Sequence, residues 1–368
     1  MIPQAEPVLP DYLGGCISNV MSALLDPSPD RPSWLPESAR GDGPVVLFVL
    51  DGLGWLQLQE RRSLAPTLAH LDGAAITSVA PSTTATALTC ITTGLTPARH
   101  GLLGYRVMIE DEVLNVLRWN TPAGDARRRI LPQDLQVHEP FRSERPPVVS
   151  RAEFATTGFT DAHLRGTRYR GYRVPSAMVT EVELALRQGE PFVYAYYDGL
   201  DKVSHEYGLG PHFDAELVAC DRLVGDLAAA LPAGGRLVVT ADHGQVETGD
   251  ALIEIPPDIG SLLHAQSGEA RFRWLHAGTG QHARLLEEAT SAFGDHAWVR
   301  SREQVVDEQW FGPSSPDTHF DRLGDVALVA RDESAFVEAA DSGQFVLIGR
   351  HGSLTPEEMY VPLLALHR

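Results

Sequence analysis

The chain has 368 residues, 43% hydrophobic and 21% charged, with a formal net charge of -19. That length supports one large or two ordinary domains, and the acidity excludes a nucleic-acid backbone or an anionic membrane surface as the principal partner. A small anionic substrate is not excluded, because bound metal ions invert the field locally, and 14 His supply the commonest metal-ligating side chain.

Residues 1–43 are Pro-rich and irregular apart from an expected helix at 16–25. No basic segment followed by an apolar one opens the chain, and no apolar run is long enough to span a bilayer. Cys16, Cys90 and Cys220 are far apart and form no CxxC pair. The expectation is a cytoplasmic protein with reduced cysteines. Residues 44–50 form a continuous apolar run closed by Asp51 and Gly52, the pattern of a parallel strand buried on both faces. A helix is expected at 61–71, then an apolar segment at 76–80. The stretch 80–104 follows, APSTTATALTCITTGLTPARHGLLG, which reads as a strand end, a tight turn and the first turns of a helix. Thr83 or Thr84 then sits where helix N–H groups and the macrodipole favour an anion, and either hydroxyl is a candidate nucleophile if something lowers its pKa.

The pattern weakens over 105–172, where a hairpin at 105–119 precedes an Arg- and Pro-rich stretch expected as surface excursion or lid. Arg127, Arg128 and Arg129, with the arginines of 165–173, read as solvated surface. A helix at 176–187 leads to a second buried strand at 191–197, ending in Asp198-Gly199-Leu200-Asp201. A helix at 213–231 and a third apolar strand at 236–240 lead to Asp242-His243-Gly244. Residues 250–320 suggest a small βαβ insertion, after which the chain returns through strands at 325–330 and 345–348 to His351.

Open α/β sheets bind ligands at the carboxyl ends of their strands. Asp51, Thr84, Asp201, His205, Asp242, His243 and His351 all fall at such ends or adjoining turns. Asp201 and His205 are spaced i, i+4, which puts both on one face of a helix. Each has a bland reading as cap, turn or packed residue, and the conjunction outweighs those readings. Carboxylate with imidazole suits Zn²⁺, or Mn²⁺ where oxygen dominates. Seven groups are too many for one tetrahedral ion and divide into two sites. Two ions roughly 3.5–4 Å apart form the usual clamp for in-line phosphoryl chemistry.

These residues resemble the alkaline phosphatase superfamily, specifically its type I phosphodiesterase/nucleotide pyrophosphatase family. Asp51-Gly52 is similar to the family's first metal-ligand strand. Pro81-Ser82-Thr83-Thr84, with Gly94, Pro97 and His100-Gly101, resembles its nucleophile segment. Asp201…His205, Asp242-His243-Gly244 and His351-Gly352-Ser353 resemble its remaining ligand motifs. The resemblance implies an α/β fold with a mostly parallel sheet flanked by helices on both faces and a small α+β insertion. The alkaline-phosphatase-like core would be 1–249 and 321–368, with the inserted subdomain at 250–320. It also implies Thr84 as nucleophile. Asp201, His205 and His351 would hold one ion, and Asp51, Asp242 and His243, with Thr84, the other. The metal is usually zinc. The Ala85 N–H could hold a phosphoryl oxygen and the Tyr105 hydroxyl could donate to the substrate.

The implied activity is hydrolysis of phosphodiester or pyrophosphate-type bonds in a small-molecule substrate through a phospho-threonine. No nucleic-acid polymer or membrane is expected as partner, and the oligomeric state is open. Ala85 replaces the base-stacking aromatic of nucleotide-cleaving members, and Tyr105 stands near where they carry an Asn. The sulfatase signature is absent. Phosphonate or phosphomonoester hydrolysis is the alternative within the superfamily, and a non-catalytic metal-binding protein is the alternative outside it. An independent phosphoglycerate mutase would prefer Ser and a larger second domain.

Overall fold

The computed structural model describes residues 6–25, 32–341 and 346–368. In chain order its main elements begin with α1 (Ile17–Leu25), β1 (Val45–Leu50), β2 (Asp72–Thr77) and α2 (Thr84–Thr93). Next come β3 (Pro147–Arg151), β4 (Arg168–Tyr172), α3 (Pro175–Arg187), β5 (Phe192–Tyr197), α4 (Gly199–Tyr207), α5 (Pro211–Ala230) and β6 (Arg236–Thr240). The chain continues through β7 (Leu263–Glu269), β8 (Phe272–Ala277), α6 (His282–Phe293), β9 (Ala297–Ser301), β10 (Val326–Ala330) and β11 (Tyr360–His367).

The main sheet has seven strands in the order β2-β11-β6-β1-β5-β3-β4. Its β6-β1, β1-β5, β5-β3 and β3-β4 pairings are parallel, while β11 lies antiparallel between β6 and β2. Every residue of β1, β5 and β6 is buried, so both faces of the sheet centre are covered, as continuous apolar strands require. α5 packs on α3 and α4, and α1 packs on α2. No helix among the described residues is long and apolar enough to cross a membrane.

Several expectations are corrected. The helix expected over 61–71 is two short helices, Trp55–Glu60 and Pro66–His70. Pro66 has no N–H and sits at a helix start, so it opens the second helix instead of continuing the first. The 105–172 stretch is not wholly an excursion, because β3 and β4 complete one edge of the main sheet. β4, Arg-Tyr-Arg-Gly-Tyr, is an edge strand in which only Tyr172 is fully buried, so its polarity disguised it. The arginines of this stretch are spent on the surface, Arg127 on Asp125, Arg129 on Glu112 and Arg168 on Glu190. The expected hairpin is present as Arg106–Ile109 paired with Glu112–Asn115.

The strand expected to return to the core at 325–330 is instead β10, placed between β8 and β9 in a second four-stranded sheet, β7-β8-β10-β9. That sheet is antiparallel throughout rather than βαβ, and α6 closes its own small core around Leu275, Leu285, Phe293 and Phe336. Of the strand expected at 345–348, Phe345 lies outside the described residues and 346–348 form no strand. A buried ion pair ties the second sheet to the first. Arg271 donates through Nε and Nη2 to both oxygens of Glu358, each at 2.8 Å, with both side chains fully buried.

Candidate active site

The residues with site chemistry meet at the carboxyl edge of the main sheet. Asp51 follows β1, Asp201 and His205 lie on α4 after β5, and Asp242 and His243 follow β6. His351 reaches the same edge from the segment before β11. Thr84 opens α2. Thr83 caps it in extended backbone (φ -133°, ψ 144°), and Gly94 ends it in the left-handed region at φ 69°. All ten residues of this helix are buried despite five threonines. The hydroxyls of Thr89, Thr92 and Thr93 donate back to Ala85 O, Leu88 O and Thr89 O at 2.7, 2.9 and 2.6 Å, so their polarity is satisfied inside the helix. Thr84, in the first turn, is left facing the edge.

Three imidazoles are oriented alike. Nδ1 of His205 lies 2.7 Å from Gly349 O, Nδ1 of His243 3.0 Å from Gly244 O, and Nδ1 of His351 2.9 Å from Ser82 O. A carbonyl only accepts, so each Nδ1 carries the hydrogen and each ring, when uncharged, presents an Nε2 lone pair. Burial keeps His243 neutral down to about 4, and burial followed by the neighbouring His243 keeps His351 neutral down to about 3. The rings of His243 and His351 stack at 3.6 Å and 13°.

These lone pairs face carboxylate oxygens. His243 Nε2 is 3.4 Å from both Asp51 Oδ1 and Asp242 Oδ2. His205 Nε2 and His351 Nε2 are 3.2 and 3.6 Å from Asp201 Oδ1. Acceptor facing acceptor is unfavourable unless a cation lies between them. Asp51 Oδ1 and Asp242 Oδ2 are moreover buried without a hydrogen-bond partner. Burial, then Asp242 and Asp201, drives the Asp51 carboxyl well up. Burial, then Asp201, pushes Asp242 up to about 7. Burial opposes ionisation of Asp201 too, and the Gln245 amide that donates to Oδ1 favours it. The donor set therefore fits divalent cations. Two groups bring their ligand atoms within 4.8 Å of one another, Asp201 with His205 and His351, and Asp51 with Asp201 and His243. Asp201 belongs to both.

Thr84 Oγ1 lies 3.1 Å from His243 Nε2, with the hydroxyl donating to the ring lone pair. Ala85 is buried in the first turn of α2, where N–H groups have no intrahelical acceptor. Tyr105 meets the site through its backbone, its N–H donating to Glu269 Oε2 at 3.2 Å. The Tyr105 hydroxyl makes no hydrogen bond among the described residues and joins none of the acids or imidazoles.

Sequence reasoning missed the residues that hold the ligands in place. Gln245 donates from Nε2 to Asp201 Oδ1 at 2.6 Å, and the Tyr196 hydroxyl donates to Asp51 Oδ2. The N–H groups of Gly52 and His243 donate to Asp242 Oδ1 at 3.1 and 3.0 Å. Gly52 has φ +76°, and a Cβ there would sit 2.7 Å from Gln245 Nε2 and 3.1 Å from Asp201 Cα.

A mostly parallel sheet with acids and imidazoles gathered at its carboxyl edge is the arrangement of an α/β enzyme, and the family match places it in the alkaline phosphatase superfamily. Within it, the chain belongs to the type I phosphodiesterase/nucleotide pyrophosphatase family, whose model matches residues 45–166 and 172–354. This is a family of hydrolytic enzymes. Among solved structures, the chain is similar to murine ectonucleotide pyrophosphatase/phosphodiesterase 5, with a TM-score of 0.66, 17% identity and 88% of each chain covered. An inactive threonine-to-alanine variant of that protein, in complex with AMP, matches at TM-score 0.66 and 16% identity over 88% of each chain. Phosphonoacetate hydrolase from Sinorhizobium meliloti 1021 matches with a TM-score of 0.60 and 19% identity over 91% of this chain and 90% of that one. No curated protein matches the chain by sequence.

Proposed function

We propose that the chain is a two-metal hydrolase that cleaves phosphodiester or pyrophosphate-type bonds in small molecules through a phospho-threonine on Thr84. The observation that carries this reading is the Thr84 hydroxyl, which opens a buried helix and faces a cluster of imidazole lone pairs and carboxylates. Asp201, His205 and His351 would hold one ion, and Asp51, Asp242 and His243 the other, with Thr84 beside it. Two divalent ions so held, zinc or manganese, would lower the threonine pKa and neutralise charge building on the phosphoryl oxygens.

The chain's own residues supply the rest. The α2 N-terminus, with the Ala85 N–H, would bind a nonbridging oxygen. Thr84 Oγ1 gives up its proton to solvent and attacks phosphorus in line, forming the Oγ–P bond while the bond to the leaving oxygen breaks and that oxygen takes up a proton from solvent. Water then attacks the phospho-threonine, the Oγ–P bond breaks, the phosphoryl group leaves as the free phosphate product and Thr84 regains its hydroxyl. The inactivity of the murine protein's threonine variant agrees with a nucleophilic threonine.

Phosphonate C–P hydrolysis is the second reading, favoured by the similarity to phosphonoacetate hydrolase over nearly the whole chain. The three buried free cysteines suit a reducing, cytoplasmic setting. Side-by-side turnover of bis(p-nitrophenyl) phosphate, p-nitrophenyl phosphate and phosphonoacetate by the metal-loaded protein tests the assignment. Preference for the diester is expected. Turnover of phosphonoacetate alone selects the second reading, and turnover unaffected by verified metal depletion refutes both.

A further inference from the structure

Lys202 is the only lysine of the chain, and it stands next to Asp201, the acid whose ligand atoms belong to both candidate metal groups. Its Nζ lies 2.6 Å from Asp198 Oδ2, one helical turn back. Asp198 already has a cation. Its Oδ1 accepts from Arg151 Nε at 2.6 Å, and its side chain is only 5% exposed. Nor is the Lys202 contact an aligned hydrogen bond, since Oδ2 has no hydrogen-bond partner. The ammonium therefore keeps its three N–H donors uncommitted among the described residues, on a side chain that is 51% exposed. Arg151, by contrast, is spent on Asp198 and Glu153. The Phe154 ring, 5.7 Å from Nζ, helps to hold the ammonium in place. A surface ion pair with Asp198 is the bland use of such a lysine, and Arg151 already serves that carboxylate.

The order of the strands relates this cation to Thr84. β6, β1, β5 and β3 lie side by side, and at their carboxyl ends stand His243, Asp51, Asp198 and Arg151 in the same order. Thr84 Oγ1 is 3.1 Å from His243 Nε2, at the β6 end of the row. Lys202, on the helix that follows β5, lies toward the other end, beyond Asp51. An in-line displacement sends the leaving group away from the nucleophile, which here is along the row toward Lys202. The Cα atoms of Asp201 and Lys202 are about 3.8 Å apart, so the flexible lysine can swing from Asp198 to a group bound beside Asp201. We propose, resting on the phosphoryl-hydrolase reading above, that the Lys202 ammonium binds a second anionic group of the substrate, carried on the leaving side of the phosphoryl group that Thr84 attacks. The substrate is then a small molecule with two neighbouring anions, the second a phosphate or a carboxylate. In a chain of net charge -19, one uncommitted cation at the catalytic edge marks where such a group is favoured. Asp198, fixed by Arg151, is the positioning residue that keeps the ammonium at that edge.

The test compares metal-loaded wild type, Lys202→Met and Lys202→Arg on methyl diphosphate, phosphonoacetate and bis(p-nitrophenyl) phosphate, the last of which has no second anion. The readout is the ratio of kcat/KM for each doubly anionic substrate to that for bis(p-nitrophenyl) phosphate. A general loss of structure or of metal lowers both members of a ratio and leaves the ratio itself unmoved. In Lys202→Met the methyl diphosphate ratio should fall about 10–100-fold, the scale of a hydrogen bond to a charged group, while Lys202→Arg should retain most of it. Added salt should erode the wild-type ratio more than the Lys202→Met ratio. A fall confined to the phosphonoacetate ratio identifies the second anion as a carboxylate. Ratios unchanged in Lys202→Met overturn the proposal, as does a loss in Lys202→Arg as complete as in Lys202→Met. A wild type that turns over bis(p-nitrophenyl) phosphate but neither doubly anionic substrate also overturns it. In each of these cases turnover of bis(p-nitrophenyl) phosphate leaves the hydrolase reading standing. A metal-loaded wild type that turns over none of the three substrates removes that reading and this one together.

Discussion

Asp242→Asn should stabilise the metal-free protein while weakening its response to metal. Asp242 is fully buried, and Asn preserves the Oδ1 that accepts the N–H groups of Gly52 and His243 at 3.1 and 3.0 Å. The new amide N–H₂ takes the place of Oδ2, which has no partner and lies 3.4 Å from the His243 Nε2 lone pair. An acceptor-to-acceptor contact thus becomes a hydrogen bond. In the unfolded chain the carboxyl ionises near its ordinary 3.8, whereas in the folded metal-free protein it holds its proton up to about 7. Stability is therefore intact below the lower value, declines as pH rises between the two, and at pH 8 is reduced by about 4 kcal/mol. Urea unfolding of chelator-treated wild type and Asp242→Asn, at about pH 4 and about pH 8, reads this directly. The variant should be the more stable at the higher pH, with the difference shrinking at the lower one. Added zinc should raise the wild-type midpoint by more than that of the variant, which keeps Asp201, His205 and His351 for one ion. An Asp242→Asn protein less stable than wild type at pH 8 without metal, or equally stabilised by zinc, refutes the reasoning.

Breaking the Arg271–Glu358 pair in either direction, with Arg271→Met or Glu358→Gln, should cost about 3–5 kcal/mol in chemical denaturation because one buried group loses its partner. The double variant should lose less than the two single losses combined. His163 is buried, donates from Nδ1 to Phe159 O at 2.7 Å, and burial keeps it neutral down to about 4. Its contribution is present above its ordinary 6.5 and lost as pH falls toward 4, amounting to about 3 kcal/mol at the acid end. His163→Gln should therefore flatten the acid limb of the stability profile. Gln245→Leu removes the 2.6 Å hydrogen bond to Asp201 and should weaken zinc affinity by about 10–100-fold in competition with a chelator, with the fold intact by circular dichroism.

The buried centre of the main sheet was legible because a parallel strand covered on both faces is a continuous apolar run. β1, β5 and β6 each end such a run in or just before an acid. The same regularity exposed Asp51, Asp201 and Asp242, and local spacing added His205 and His243. Placing β10 was beyond periodicity. Val-Ala-Leu-Val-Ala is equally suited to either sheet, and only long-range pairing with β8 and β9 decides. β4 was hidden by the opposite cause, an edge position that admits arginines. The imidazole orientations were illegible because the groups that fix them are backbone carbonyls of Gly349, Gly244 and Ser82, which any residue would supply.

The central claim is that a threonine hydroxyl beside an imidazole–carboxylate cluster is the group that attacks phosphorus. Rapid acid quench of the metal-loaded protein with bis(p-nitrophenyl) phosphate, followed by peptide mass spectrometry, measures it most directly. A phosphoryl adduct on Thr84, absent in Thr84→Ala, together with a drop in turnover of about 10³-fold or more at unchanged metal content, is the predicted result. No adduct on Thr84 and undiminished turnover by Thr84→Ala would contradict it.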